Sequence, residues 1–192
     1  MNKITKSLLG VISSSVLMSS SLFAADEFKA FPIFTDKDFK LNTEVALVGG
    51  HMSFDNDGLD GGVMYGVELS LDCPVFTLPG NNLLRQQFSV NQYSEDDFDV
   101  TTIEVNPYYF IDITENMVVG FGPGIGVAFA DAAGEEETFF TYQVGAGVKY
   151  YMDSFLIGAD FRWQGSNEKD FGSGDDVDII NTRIMGKIGY RF

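Results

Sequence analysis

The chain has 192 residues and is strongly acidic, with 28 acidic against 12 basic side chains and a formal net charge of −16. Such acidity argues against nucleic acid as a partner, because phosphates require a basic surface. The length suits one domain, and 21 glycines with only 5 prolines favour many strands joined by tight turns.

The first 24 residues have the pattern of a cleaved secretory signal peptide. Lys3 and Lys6 supply positive charge, residues 8–23 are uncharged, apolar and rich in Ser, and Ala24 offers a small residue for cleavage. The alternative is a signal anchor that stays in the inner membrane, although the segment is short for a spanning helix. Residues 25–42 show no regular spacing of apolar residues, and we predict that they form a periplasmic N-terminal extension. The alternative is that they pack into the mouth of the β-barrel that the following segments predict.

Residues 43–192 alternate between apolar and less apolar positions, which is typical of strands with two different faces. Each segment has roughly the 9–11 residues that a tilted strand needs to cross a bilayer. An even number of strands lets the chain start and finish on one side of the membrane. The eight segments are 43–54, 63–72, 83–93, 101–111, 119–129, 140–151, 155–164 and 180–192.

The connections between these segments also alternate in character. Those after the first, third, fifth and seventh segments are acidic, and the others carry less charge. Two of the latter, 112–116 and 152–154, are short. Long external loops and short periplasmic turns are the expected asymmetry of outer-membrane barrels. The acidic connections are 55–62, 94–99, 131–138 and 165–178.

The positions of the basic residues indicate which face of each strand meets lipid. After Asn42 there are seven, and all except Lys169 fall on the less apolar face of a segment. This pattern predicts a lipid-facing exterior, because Lys or Arg at the bilayer midplane costs about 2–4 kcal/mol. An eight-stranded interior is just wide enough for its own side chains, so we expect ion pairs there and no large pore. The predicted interior polar network is His51, Glu68, Asp72, Arg85, Glu104, Lys149, Asp160, Arg162, Arg183, Lys187 and Arg191.

The chain resembles the OmpA-like and OmpX-like family of small outer-membrane β-barrels. The resemblance rests on NPYYFIDIT at residues 106–114, GFGPGIGVAFA at residues 120–130 and a final strand that ends in Ile188, Tyr190 and Phe192. Those last three residues resemble the signal by which such barrels are recognised for assembly. The resemblance implies an all-β fold, an eight-stranded antiparallel up-and-down transmembrane β-barrel in the outer membrane. Its implied partners are membrane lipid, lipopolysaccharide and the barrel assembly machinery. No domain follows the barrel here, so we expect no peptidoglycan-binding role.

His51 and Ser53 form a His-x-Ser pair that resembles the catalytic pair of outer-membrane lipid A deacylases. A serine nucleophile needs a base, and the base needs an orienting acid, for which Glu68 is the candidate. We expect Ala46, Val48, Gly50, Met52 and Phe54 to face lipid, which places His51 and Ser53 inside the barrel and away from a lipid substrate. We therefore expect no enzyme activity, and a satisfied interior histidine is the favoured interpretation.

Three further features carry weaker signals. The run DNDGLDGG at residues 55–62 looks like part of a calcium loop, but it lacks the glutamate of an EF-hand, and its residues are ordinary turn formers. We favour weak, collective attraction of divalent cations by the acidic loops, and we predict no cofactor. The alternating glycines at 120–126 lie in a strand and do not form a nucleotide-binding loop. Cys73 is expected to be buried in a turn; the alternative is pairing with another chain.

The leading function is a structural or surface-interaction role for a non-enzymatic outer-membrane barrel. The alternatives are a narrow channel for small solutes or ions, a lipid-modifying enzyme that uses His51 and Ser53, and a soluble periplasmic barrel that carries a ligand.

Overall fold

The protein, a computed structural model, is described for residues 29–55, 59–77, 83–132, 134–170 and 176–192. The predicted signal peptide, residues 1–24, lies outside these ranges. In chain order the elements are β1 (Lys29–Ala30), α1 (Pro32–Thr35), β2 (Glu44–Phe54), β3 (Gly62–Asp72), β4 (Phe76–Thr77), β5 (Leu83–Glu95), β6 (Phe98–Thr114), β7 (Met117–Ala132), β8 (Glu135–Met152), β9 (Phe155–Ser166), β10 (Lys169–Asp170), β11 (Asp176–Val177) and β12 (Asn181–Arg191).

Eight of the strands close into one antiparallel barrel. The order around it is β2, β3, β5, β6, β7, β8, β9, β12 and back to β2. The first and last strands pair from Asn181 opposite Phe54 to Arg191 opposite Glu44. This closure leaves no open strand edge. A membrane-spanning sheet must be closed in this way, because lipid offers no hydrogen-bond partners for unpaired backbone groups. The predicted fold class is confirmed.

The two faces of the strands differ as the sequence predicts. Arg162, Arg183 and Lys187 are buried within the barrel, whereas Phe121 and Ile188 project outward with 51% and 60% of their surface exposed. A water-soluble protein would place these residue types the other way round. The outer surface is therefore suited to acyl chains.

The face assignment of the first barrel strand was wrong. Ala46, Val48 and Met52 are buried in the interior, and His51 and Ser53 lie on the exposed outer face. Both faces of β2 consist mainly of apolar or small residues, so alternation alone does not distinguish them. The pairing with β3 fixes the orientation, because it places Ala46 opposite the inward Glu68.

Two of the four acidic connections are shorter than predicted. β6, β7 and β8 contain 17, 16 and 18 residues, against 11 in β2, β3 and β12. Most of 94–99 and 131–138 is therefore strand, and these hairpins have turn residues at Asp96–Asp97 and at Gly134. Beyond the bilayer, water and salt screen these charges, so their repulsion weakens strand pairing without preventing it. We call this acidic extension, residues 98–101, 129–132 and 135–140, the flap. It lies at the loop end of the barrel, and the short connections define the turn end.

The N-terminal segment, residues 29–42, is folded against the turn end. β1 pairs with β4, and the single turn α1 lies between β1 and the first barrel strand. The Asn42 side chain donates to Asp72 at 2.5 Å, and the backbone N–H of Asp72 donates to the Leu41 carbonyl at 2.8 Å. The described part of the chain contains no helix long and apolar enough to span a membrane.

Candidate functional site: the barrel interior

A layer of ion pairs fills the middle of the barrel. Arg162 of β9 lies at its centre and donates to Glu104 at 2.8 Å and to Glu68 at 3.3 Å. Arg183 of β12 donates to the other oxygen of Glu104 at 2.5 Å. Glu104 thus accepts hydrogen bonds from two guanidinium groups on different strands. Burial of charge is tolerated only where the opposite charge and further hydrogen bonds are present, and here both are.

Lys187 joins this layer to the next group of charges. Its ammonium donates to Glu68 at 2.6 Å and forms an ion pair with Asp160. Arg162 also contacts Asp160 at 3.5 Å. Three carboxylates (Glu68, Glu104 and Asp160) and three cations (Arg162, Arg183 and Lys187) therefore tie together the four strands β3, β6, β9 and β12.

A second ion-pair group surrounds Glu44 near the turn end. Its carboxylate accepts from Lys149 at 2.8 Å and Arg191 at 3.0 Å, and it lies 3.4 Å from Arg85. Arg85 also donates to Asp72 at 2.6 Å. Sequence reasoning missed Glu44. It starts β2 on the inward face, and its charge was the signal that could have assigned that strand correctly.

The predicted interior residues are therefore brought together, with one exception. Arg85, Lys149, Arg162, Arg183 and Lys187 are buried, and Arg191 contributes from the mouth. His51 is the exception, because the true orientation of β2 turns it outward. Its cross-strand partners, Val63 and Ile184, are outward apolar residues.

Two buried apolar clusters pack against the charged groups inside the barrel. At the loop end, Met52, Met64, Tyr93 and Phe139 belong to one buried cluster. At the turn end, a second buried cluster consists of Ala46, Tyr108, Phe110, Val118, Tyr151 and Leu156. A continuous column of water would have to pass both clusters and the ion pairs between them.

The inward glycines of β7 and β8 make room for this packing. A Cβ on Gly124 would meet the side chain of Asn106, and one on Gly147 would meet Asp160. A Cβ on Gly145 would collide with the Tyr108 hydroxyl. Their role is packing, as the sequence pattern indicates, and no helix follows them to hold a phosphate.

The deacylase-like pair does not form a triad. A Cβ placed on Gly61 would lie 3.0 Å from His51 Nε2 and 3.3 Å from Ser53 Oγ, so both side chains reach the same point on the outer face. Glu68, the proposed orienting acid, is buried on the opposite face and bound to Lys187 and Arg162. Within the described ranges, His51 makes no hydrogen bond to a carboxylate.

Two other candidates have simple outcomes. Cys73 is a buried free thiol just after β3, in agreement with the expected burial in a turn. The calcium-like run falls partly on residues 56–58, which lie outside the described residues. Elsewhere in the described chain, no three or more His, Cys, Asp or Glu side chains are grouped to hold a metal ion.

An apolar outer belt, a charged core and closed antiparallel strands together define a small membrane β-barrel. Comparison with solved structures shows which proteins share this fold. The fold matches Ail, the attachment invasion locus protein of Yersinia pestis, with a TM-score of 0.53 and 18% identity over 80% of this chain and 100% of that one. It matches Neisserial surface protein A with a TM-score of 0.57 and 13% identity, over 79% and 97% of the two chains.

The N-terminal β-barrel domain of OprF from Pseudomonas aeruginosa is a third match, with a TM-score of 0.51, 14% identity and coverage of 79% and 98%. These neighbours are outer-membrane β-barrels of Gram-negative bacteria, and the chain has their fold. The outer membrane is the location that this fold and the apolar belt indicate. No protein-family model matches the sequence, and the comparison with curated proteins found no match.

Proposed function

We propose that the chain is a sealed, non-enzymatic outer-membrane barrel with a structural or surface-interaction role. One observation carries the proposal: connected buried ion pairs and two buried apolar clusters together occupy the interior. A filled interior leaves the outer belt and the loop end as the surfaces available for interaction.

Conductance in planar bilayers tests the sealed interior against the channel alternative. We expect the refolded wild-type protein to insert without conductance steps. An interior channel would give steps that change with Arg183→Met, which lies in the ion-pair layer, and not with Ile184→Val, its outward neighbour. Such a result would establish the channel and exclude the proposal.

The lipid-facing belt and the acidic flap suggest the partners. The belt contacts acyl chains, and the loop end faces the lipopolysaccharide leaflet if the short connections are periplasmic, as in other outer-membrane barrels. Lipopolysaccharide is anionic, so divalent cations would have to lie between it and the flap. Removing cations with a chelator should then weaken lipopolysaccharide binding to the wild type more than to a variant with Asp131→Asn and Glu136→Gln.

Recognition by the barrel assembly machinery remains a prediction from the last strand. Ile188, Tyr190 and Phe192 are all exposed on the outer face, where another protein could contact them during assembly. Removal of Phe192 should lower the amount of folded barrel in cells while leaving refolding in detergent unchanged.

A further inference from the structure

The N-terminal segment displays an apolar surface that the barrel does not cover. Phe34 is 85% exposed and Phe31 is 54% exposed, and Ile33 and Val75 beside them are also exposed. The Phe31 N–H donates to the Val75 carbonyl at 2.5 Å, so the two strands hold these side chains in one patch. Large apolar side chains grouped on a surface indicate that something else covers them.

The patch is held in place by the fold. β1 pairs with β4, and Lys29 donates to Asp36 across α1 at 2.6 Å. Leu41 and Asn42 then attach the end of the segment to Asp72. The exposed aromatic rings therefore project from an ordered support at the turn end.

Exposed apolar side chains also follow the patch along the chain into the outer face of β2. Leu41 and Val45, which lead from the segment into β2, are both exposed apolar residues. Aromatic rings surround the same end of the barrel, where Phe155, Tyr190 and Phe192 pack edge to face. Aromatic belts of this kind lie at the boundary between bilayer and water. From this we expect the patch to lie near the level of lipid headgroups.

The charges of the segment fit an anionic lipid surface. Residues 29–42 contain Lys29, Lys37 and Lys40 against Asp36 and Asp38, a net charge of +1 in a chain of −16. Lys37 and Lys40 are exposed and make no ion pair in the described chain. Aromatic side chains flanked by lysines are typical of segments that lie in the membrane interface.

We propose that residues 29–42 form an interfacial anchor that inserts Phe31, Ile33 and Phe34 among the phospholipids at the turn end, with Lys37 and Lys40 at anionic headgroups. The anchor rests on the proposed function, since it requires a barrel inserted in a membrane. It gives the N-terminal extension a role outside the barrel mouth.

Depth-dependent fluorescence quenching tests the anchor in the full mature chain. The single tryptophan, Trp163, projects from the outer face and reports insertion of the wild-type barrel. In a Trp163→Phe background, Phe34→Trp places a reporter in the patch. Glu115→Trp places a matched control in another turn at the same end. The protein is refolded into phosphatidylcholine vesicles with and without phosphatidylglycerol, containing lipid brominated near the headgroup.

We expect blue-shifted, bromine-quenched emission from Phe34→Trp and unquenched emission from Glu115→Trp. Replacing both Lys37 and Lys40 by Gln should reduce the quenching in vesicles with phosphatidylglycerol and leave it unchanged in phosphatidylcholine alone. If the double replacement has no effect in anionic vesicles, the headgroup contacts are wrong.

The two proposals fail in distinguishable ways. If brominated lipid quenches Trp163 but the Phe34→Trp reporter is exposed to water, the anchor is wrong and the membrane barrel is still supported. A protein partner would then be the remaining candidate to cover the patch. A Trp163 that brominated lipid does not quench would exclude membrane insertion itself.

Discussion

Carboxylates occupy two contrasting regions of this molecule, the barrel interior and the flap. In the interior, Glu104 lies between Arg162 and Arg183. On the outer face of the flap, Asp131 lies directly opposite Asp99 on one side and Glu136 on the other. No cationic side chain of the described chain forms an ion pair with these three flap residues.

The difference follows from the solvent around each group. Inside the barrel an unpaired charge is very unfavourable, so the carboxylates are paired with cations, several of which come from strands across the barrel. On the flap, water and salt screen the repulsion, so like charges can lie on neighbouring strands. The same residue type therefore ties strands together in one region and weakens their pairing in the other.

Arg162→Met should have the largest effect, because it removes the cation shared by Glu68, Glu104 and Asp160. Loss of one partner from a buried ion pair costs about 3–5 kcal/mol. The free energy of unfolding in urea, measured in lipid vesicles, should fall by about that amount. Lys169→Met is the control, since among the described residues Lys169 forms one partly exposed pair, with Glu137 at 3.8 Å. This substitution should change stability by about 0–1 kcal/mol. Equal losses in the two variants would contradict the proposed role of the interior network.

Met52→Ala should cause the second-largest loss of unfolding free energy, and it tests the corrected orientation of β2. Met52 is buried in the loop-end apolar cluster, so its truncation should cost about 2–5 kcal/mol. His51→Ala, one residue earlier on the outer face, should change stability by no more than about 0.5 kcal/mol. The same urea titration compares them. A larger loss for His51→Ala would restore the original assignment of this strand.

Strand β2 shows where prediction of the fold from the sequence reaches its limit. Strands such as β3 and β12 carry Glu68, Arg183 or Lys187 on one face, so charge distinguished the inside from the outside. In β2 the only charge is Glu44 at its first residue, and the predicted segment began one position earlier without using it. The sequence pattern places the flap residues in loops, because acidic residues usually mark the ends of strands. Beyond the bilayer, however, a strand can continue through acidic residues and remain paired with its neighbours.

The sequence predicts which charged residues lie inside the barrel better than it predicts which of them form ion pairs with each other. That acids and bases share the inward face follows from alternation, but which ones meet depends on strand register and tilt. Lys149 reaches Glu44 across 105 positions of sequence, and Lys187 reaches Glu68 across 119. The packing of the N-terminal segment is equally non-local, since it depends on β4, a two-residue strand without a periodic signal.

Asp131→Asn should have a small and opposite effect, because it removes repulsion from the flap. Like charges directly opposite on neighbouring strands are destabilising, and cross-strand pairs contribute about 0.2–1 kcal/mol. We expect a gain of that size in unfolding free energy at low ionic strength and a smaller gain at high salt, where the charges are screened. Glu115→Gln, in an exposed turn, is the control and should show no such gain. A stability loss in Asp131→Asn would mean that the carboxylate is held by an attractive contact.

Ser53→Ala should have the smallest effect of all, because we expect it to leave the acylation of lipid A unchanged. Ser53 and His51 do lie on the outer face, but His51 has no orienting carboxylate among the described residues, and Glu68 is held inside by Lys187 and Arg162. A histidine without such a carboxylate is a poor base. Lipid A from cells that express the wild type, Ser53→Ala or no barrel should give the same mass spectrum. Thr182→Ala is the matched control, because Thr182 lies directly opposite Ser53 on β12 and also carries an outward hydroxyl. An acyl chain that is lost with the wild type and with Thr182→Ala, but retained with Ser53→Ala, would make this outer face a catalytic surface and end the non-enzymatic interpretation.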